Sequence, residues 1–80
     1  MTARVYVTLK SGVLDPQGKA VQGALESLSF KGIQQVRVGK LIELQLKTGK
    51  AASARRDLER MCQKLLVNPI VETYRIEIRR

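Results

Sequence analysis

Two kinds of hydrophobic periodicity alternate along this 80-residue chain, and their order constrains the fold more than any other feature. Four segments alternate apolar and polar residues, as half-buried strands do: 4–10, 32–38, 41–47 and 70–78. Two segments repeat apolar residues every three or four positions, as amphipathic helices do: about 16–28 and about 51–66. The pattern therefore predicts the order βαββαβ.

The boundaries of these segments carry residues that suit them. Asp15 can cap the first helix, and Pro16 fits the first helical position, where its missing N–H is not needed. Asn68-Pro69 ends the second helix. Gly39-Lys40 separates the second and third strands by two residues, as in a hairpin.

This order predicts a single α+β domain over residues 1–80 with a ferredoxin-like fold: a four-stranded antiparallel sheet with both helices on one face. The other face of the sheet is left open. A chain of this length buries only about 60% of the surface that its unfolded form exposes. We therefore expect it to associate with itself or with a partner.

The charge balance narrows the class of partner but does not choose one. Fifteen Lys and Arg residues against seven Asp and Glu residues give a net charge of +8, which attracts nucleic acid, phosphorylated ligands or an acidic protein surface. No apolar run approaches the roughly 20 residues of a membrane span, so we expect a soluble, cytoplasmic protein. With one cysteine and no histidine, a structural zinc site within one chain is not expected.

The segment Gly12 to Ala20 resembles a phosphate-binding loop only superficially. A P-loop needs four residues between its two glycines and a hydroxyl after its lysine; here Gly12 and Gly18 enclose five, and Ala20 follows Lys19. The helix-capping interpretation of Asp15 and Pro16 accounts for the segment better. Gly18 is then unusual, because glycine in a first helical turn is unfavourable, and we interpret it as a place of close backbone approach.

Candidates for catalysis are few. Cys62 falls on the apolar stripe of the second helix beside Met61 and Leu65, so we expect a buried, unreactive thiol. No histidine is present as an acid or base, and we predict no catalytic, cofactor-binding or metal-binding residue. From the residues alone, the chain is a small non-catalytic interaction module, with two alternatives: a self-associating regulatory domain that binds a small ligand, or an RNA-binding module that lacks the usual strand aromatics.

Three separated motifs resemble the PurS family over nearly the whole chain: Gly12-Val-Leu-Asp-Pro-Gln-Gly-Lys-Ala-Val21, Val36-Arg-Val-Gly-Lys40 and Cys62-Gln-Lys-Leu-Leu-Val-Asn-Pro69. The resemblance implies the small subunit of phosphoribosylformylglycinamidine (FGAM) synthase, a ligase of de novo purine biosynthesis. That enzyme converts formylglycinamide ribonucleotide, glutamine and ATP to FGAM, glutamate, ADP and phosphate.

The resemblance also implies the division of labour. A large subunit carries ATP and magnesium, a glutaminase subunit releases ammonia, and the small subunit bridges the two and supports ammonia transfer. The small subunit is expected to be a homodimer or a larger homo-oligomer with no nucleic acid or membrane partner.

Two surfaces follow as candidates for these contacts. For self-association we predict residues of the open sheet face: Tyr6, Arg37, Leu41, Glu43 and Arg75. For the large subunit we predict the two segments in which the resemblance is concentrated: Leu14, Asp15, Pro16 and Gly18, and then Val38, Gly39 and Lys40.

Overall fold

The computed structural model describes residues 1–47 and 49–79. Its elements are strand β1 (Thr2–Leu9), helix α1 (Pro16–Ser27), strand β2 (Lys40–Gln45), helix α2 (Ala51–Met61) and strand β3 (Glu72–Arg79). A π-helical turn, Cys62–Leu66, extends α2. Both helices and three of the four predicted strands are confirmed to within a few residues. None of the helices in the described ranges is long and apolar enough to cross a membrane.

The strands form one antiparallel sheet in the order β2-β1-β3. The central strand places Val5 opposite Ile42 on one side and Ile76 on the other. Because side chains alternate between the faces of a strand, this register gathers the apolar residues on a single face. The α+β class and the antiparallel pairing are confirmed.

The predicted strand at 32–38 is wrong. Residues 31–39 form no strand, so Gly39-Lys40 is not a hairpin turn, and the sheet seen in the described part of the chain has three strands rather than the four of the ferredoxin-like prediction. The segment instead runs back along α1. Its Val38 N–H donates to the carboxylate of Asp15, and its Ile33 carbonyl accepts from the Gln22 side chain.

Helix α1 and the returning segment form a projection, which we call the arm (residues 16–38). Within the described residues, α1 packs against neither the sheet nor α2, so the prediction that both helices cover one face is wrong for α1. The chain measures 49 × 26 × 15 Å, and its radius of gyration is 16.0 Å. A compact chain of this length has a radius of about 12 Å, so the arm extends well away from the sheet.

The core lies between one face of the sheet and α2 with its π-helical turn. Its buried residues come from both layers: Ala3, Val5, Val7, Leu58, Cys62, Val67 and Ile76. The predicted burial of Cys62 is confirmed. Leu58 of α2 and Val5 of the central strand are both fully buried in this core, and α2 contacts the sheet at β3.

The π-helical turn changes which side chains face the core. The Val67 N–H donates to the Cys62 carbonyl five residues earlier, at 3.0 Å, which is the hydrogen bond of a π-helix. A wider turn advances each residue less around the axis than an α-helix does. Leu65, predicted on the buried stripe, is consequently 84% exposed.

Candidate protein-interaction site

Asp15 joins the two segments that the sequence singled out for partner contacts. Its Oδ1 accepts a hydrogen bond from the Gly18 N–H at 2.8 Å, which confirms Asp15 as the cap of α1. Its Oδ2 accepts from the Val38 N–H at 2.9 Å. One carboxylate thus holds the start of α1 and the end of the arm together, and we call this place the Asp15 junction (residues 14–18 and 36–40).

The same hydrogen bonds lower the pKa of Asp15 below its ordinary value of 3.8. The Gly18 N–H contributes most, followed by the Val38 N–H, and the positive charge of Arg37 adds to the effect. Each of these favours the ionised form, so the carboxylate stays charged at neutral pH.

Gly18 is required because the returning segment of the arm (residues 31–38) packs on it. A Cβ atom at this position would lie 2.2 Å from the Val36 carbonyl oxygen and 2.8 Å from Asp15 Oδ2. The close backbone approach expected at Gly18 is therefore confirmed, and the approaching backbone belongs to the same chain. Gly39 is similarly crowded, since its Cβ would lie 2.4 Å from the Val7 carbonyl oxygen.

The surroundings of the junction are polar and positively charged. The Arg37 guanidinium donates to the carbonyls of Leu9 and Lys10, which ties the arm to the end of β1. Lys40 lies 3.9 Å from the carboxylate of Glu72. A cavity of about 410 Å³ opens between the loop at 11–15 and the arm at 35–37. Leu14 and Pro16 at its margin are exposed.

Most of the residues predicted for self-association lie together on the open face of the sheet. Tyr6 stands between Leu41 and Arg75 in the strand register. The Arg75 guanidinium carbon lies 4.1 Å from the centre of the Tyr6 ring, a cation–π contact. Glu43 is in the next row, 3.2 Å from the Arg4 guanidinium.

Arg37 is the exception, because its segment is not a strand. It lies at the Asp15 junction instead of on the sheet, and its predicted place on the open face is wrong.

Two titratable groups of the core, the Cys62 thiol and the Tyr74 hydroxyl, have raised pKa values. The pKa of the Cys62 thiol is raised by burial and by the charge of Glu59. The Tyr74 hydroxyl donates to Glu59 Oε2 at 2.5 Å, and this hydrogen bond raises the pKa of Tyr74. Both groups are therefore held in their neutral forms. Within residues 1–47 and 49–79, no three acidic or cysteine side chains cluster as metal ligands.

The exposure of the arm differs from what its sequence pattern predicts. Val21 and Leu28 belong to the apolar repeat of 16–28, which predicts a buried stripe, but they are 41% and 68% exposed, and Phe30 is 57% exposed. The signal available in the sequence was Phe30, the chain's one phenylalanine, which lies in a connection rather than in any predicted element. Several large apolar side chains exposed on one projection are typical of a surface that another molecule covers.

A family model described as "PurS: Phosphoribosylformylglycinamidine (FGAM) synthase" matches residues 2–80. The chain belongs to the PurS family. Two curated relatives are the FGAM synthase subunits PurS of Synechocystis, 49% identical over 94% of this chain and 75% of the relative, and of Bacillus subtilis, 47% identical over 94% and 88%. The resemblance seen in the sequence is confirmed, and with it the expectation of a subunit of FGAM synthase in purine biosynthesis.

Solved PurS structures have the same fold. The PurS subunit of Methanocaldococcus jannaschii formylglycinamide ribonucleotide amidotransferase superposes with a TM-score of 0.87 at 36% identity, over 95% of this chain and 92% of that one. A chain in the structure of PurLQS from Thermotoga maritima superposes with a TM-score of 0.86 at 29% identity, over 95% and 93%. The RNA-binding alternative gains no support from these similarities.

Proposed function

We propose that this PurS-family chain is a non-catalytic assembly subunit that bridges the synthetase and glutaminase subunits of FGAM synthase and supports ammonia transfer between them. The observation that carries the proposal is the Asp15 junction, where three polar contacts order the segments that most resemble the family. Leu14, Pro16, Gly39 and Lys40 are exposed at this hydrogen-bonded junction, where a partner can contact them. In this proposal ATP and magnesium bind the large subunit, and the assembly works in the cytoplasm.

Similarity to a chain of the T. maritima PurLQS structure supports assembly with other subunits, because PurLQS is a complex of several chains. The charge distribution of the junction also suits a binding role. Lys19 and Arg37 line the cavity there, and backbone N–H groups bond both oxygens of the Asp15 carboxylate and lower its pKa, which makes it a weak base.

The experiment compares two nitrogen sources. Purified synthetase and glutaminase subunits are assayed for FGAM formation with glutamine or with ammonium salt, with and without this chain. We expect the chain to be required with glutamine and dispensable with ammonium, because its role is to deliver ammonia. Equal glutamine-dependent rates with and without the chain contradict the proposal.

We also infer that the chain works as a homodimer or larger homo-oligomer. The arm presents apolar side chains to solvent, including Val21, Leu28 and Phe30, and a small domain gains stability when such a surface is covered. The open sheet row of Tyr6 and its neighbours is the second candidate surface for this contact.

Sedimentation of two variants tests this inference. Leu28→Asp combined with Phe30→Asp places charges on the arm, and Gln34→Asp, an exposed polar position of the same arm, is the control. We expect the double variant to sediment as a monomer and the control to sediment as wild type. A wild-type chain that is monomeric at the concentrations used for activity contradicts self-association. A double variant that remains associated excludes the arm and leaves the open sheet face.

A further inference from the structure

The outward side of α2 and its π-helical turn carries an excess of positive charge that the fold does not use. Four cationic residues lie there: Arg55, Arg56, Arg60 and Lys64. The ion pairs within residues 1–47 and 49–79 involve other cations, those of β1, β2 and β3: Arg4, Lys40, Arg75 and Arg79. The positive charge of α2 is thus displayed to solvent.

Opposing effects act on these charges within the helix. Arg56 and Arg60 lie four residues apart, a spacing at which like charges repel on a helix surface, whereas Asp57 lies three residues before Arg60 and attracts it. The first turn of α2 has no acidic residue, and Lys50 at its N-cap makes no side-chain hydrogen bond. Arg60 in the last turn of α2 and Lys64 in the last turn of its π-helical extension suit the helix dipole. With four cations against Asp57 and Glu59, α2 and its π-helical turn keep a net charge of +2 on their surface.

An apolar groove runs beside this row of charges. It has a volume of about 520 Å³ and lies between α2 and the edge strand β2. Leu44, Met61, Leu65 and Leu66 form its apolar lining, and Arg60 and Lys64 stand on its rim. The π-helical turn is what brings Leu65 to the surface at 84% exposure. π-Turns occur frequently at functional sites because they re-aim side chains in this way.

We propose that this groove binds an acidic protein segment with an apolar anchor, contributed by a partner subunit of FGAM synthase. The inference rests on the proposed assembly function and adds the surface and the chemistry of the partner. The anchor fills the groove over Leu65, and carboxylates of the segment pair with Arg60 and Lys64. An apolar centre with a charged rim is the usual anatomy of a protein interface.

Protein fits this surface better than nucleic acid does. Single-stranded nucleic acid is bound by stacking its bases on aromatic side chains, and neither Tyr6, Phe30 nor Tyr74 lines the groove. Asp57 also lines it, and its carboxylate would repel a phosphate backbone.

The test reverses the charges of the rim. Arg60→Glu combined with Lys64→Glu is compared with a control that changes the net charge equally at exposed positions outside the groove, the arm and the Asp15 junction, Lys47→Glu combined with Lys50→Glu. Binding of each variant to the synthetase and glutaminase subunits is measured at low and moderate salt by surface plasmon resonance. A third variant, Leu65→Ala, removes the exposed anchor contact without touching the buried core.

We expect the rim variant to bind at least about tenfold more weakly than wild type and to lose most of the salt dependence of binding. Both effects follow because charge complementarity contributes to the affinity and is screened by salt. Leu65→Ala should weaken binding with an unchanged melting temperature, and the control should bind like wild type. Rim-variant binding equal to that of wild type, with the same salt dependence, overturns the inference and leaves the assembly function standing.

A wild-type chain that fails to bind either subunit overturns both proposals. Binding of single-stranded RNA by the wild type, lost in the rim variant while subunit binding persists, overturns the inference in favour of a nucleic-acid partner.

Discussion

Replacing Gly18 by alanine tests how the returning segment of the arm (residues 31–38) packs on α1. The substitution adds a single methyl group where that segment comes closest to the helix. The new Cβ would lie 2.2 Å from the Val36 carbonyl oxygen, about 1.2 Å inside the ordinary contact range that begins at 3.4 Å. The obstructing atom belongs to the backbone and cannot rotate away. Either the returning segment or the first turn of α1 must move.

The same helix provides a matched control. A Cβ at Gly23 meets nothing within 4 Å, so Gly23→Ala changes only the helix propensity. Alanine is favoured over glycine within a helix by about 0.5–1 kcal/mol, and we expect Gly23→Ala to stabilise the chain by that amount. Forcing an extra methyl group into a packed site costs about 1–3 kcal/mol. The difference in unfolding free energy between the two variants therefore isolates the collision.

The assay is thermal and urea unfolding followed by circular dichroism, at one chain concentration for all proteins. Each kcal/mol shifts the melting temperature of a domain of this size by about 4–8 °C. We expect Gly18→Ala to melt about 5–20 °C below Gly23→Ala. Hydrogen exchange of the Val38 amide is measured as well, since that N–H is protected only while it donates to Asp15.

If the returning segment detaches from α1 to relieve the collision, the Val38 amide exchanges faster and the change in melting temperature is small. Both results follow from the same geometry. The reasoning is refuted if Gly18→Ala is as stable as Gly23→Ala and its Val38 amide remains as protected as in the wild type.

Three further perturbations address the core, the junction and the thiol. Leu58→Ala should lower the free energy of unfolding by about 2–5 kcal/mol in urea titrations, because Leu58 is fully buried, whereas Leu14→Ala, at 74% exposure, should change it by less than about 0.5 kcal/mol; similar losses in the two would contradict the assigned core. The lowered pKa of Asp15 means that its hydrogen bonds stabilise the junction above pH 3.8 and are lost as the pH falls through the lower folded-state pKa. Exchange of the Val38 amide should therefore be sensitive to acid, and Asp15→Asn should remove that sensitivity. The same pH dependence of exchange in the variant and the wild type would contradict this role of Asp15. Burial and a raised pKa should keep Cys62 unreactive toward thiol reagents at neutral pH until denaturant is added, and rapid labelling of the folded chain would contradict its place in the core.

Much of the fold could be predicted from local pattern. The alternation of Val5 and Val7 with polar neighbours predicts β1, and Asp15 with Pro16 predicts the start of α1; both predictions hold. They hold because strand faces and helix caps depend on neighbouring residues only. The family resemblance likewise depends on residues close in sequence, and it identified the subunit correctly.

The errors have one physical source. Residues 32–38 alternate like a strand, but alternation specifies only that one side is apolar, not what covers that side. In the structure the Val38 amide and the Ile33 carbonyl find partners on α1 and its cap, so the segment joins the arm rather than the sheet. The exposure of Leu65 has a similar origin, since the π-helical turn shifts its direction and the sequence spacing alone assumes an α-helix.

The sequence by itself determined the element order, the capped start of α1, the buried thiol and the family. Tertiary structure decided where the arm lies, why Gly18 must be glycine and which cations of residues 1–47 and 49–79 form ion pairs. The difference lies in the range of the interactions. Periodicity and capping act over a few residues, whereas the Asp15–Val38 hydrogen bond spans 23 residues, and the groove beside Leu65 needs α2 and β2 to meet. Contacts of that range exist only once the chain has folded.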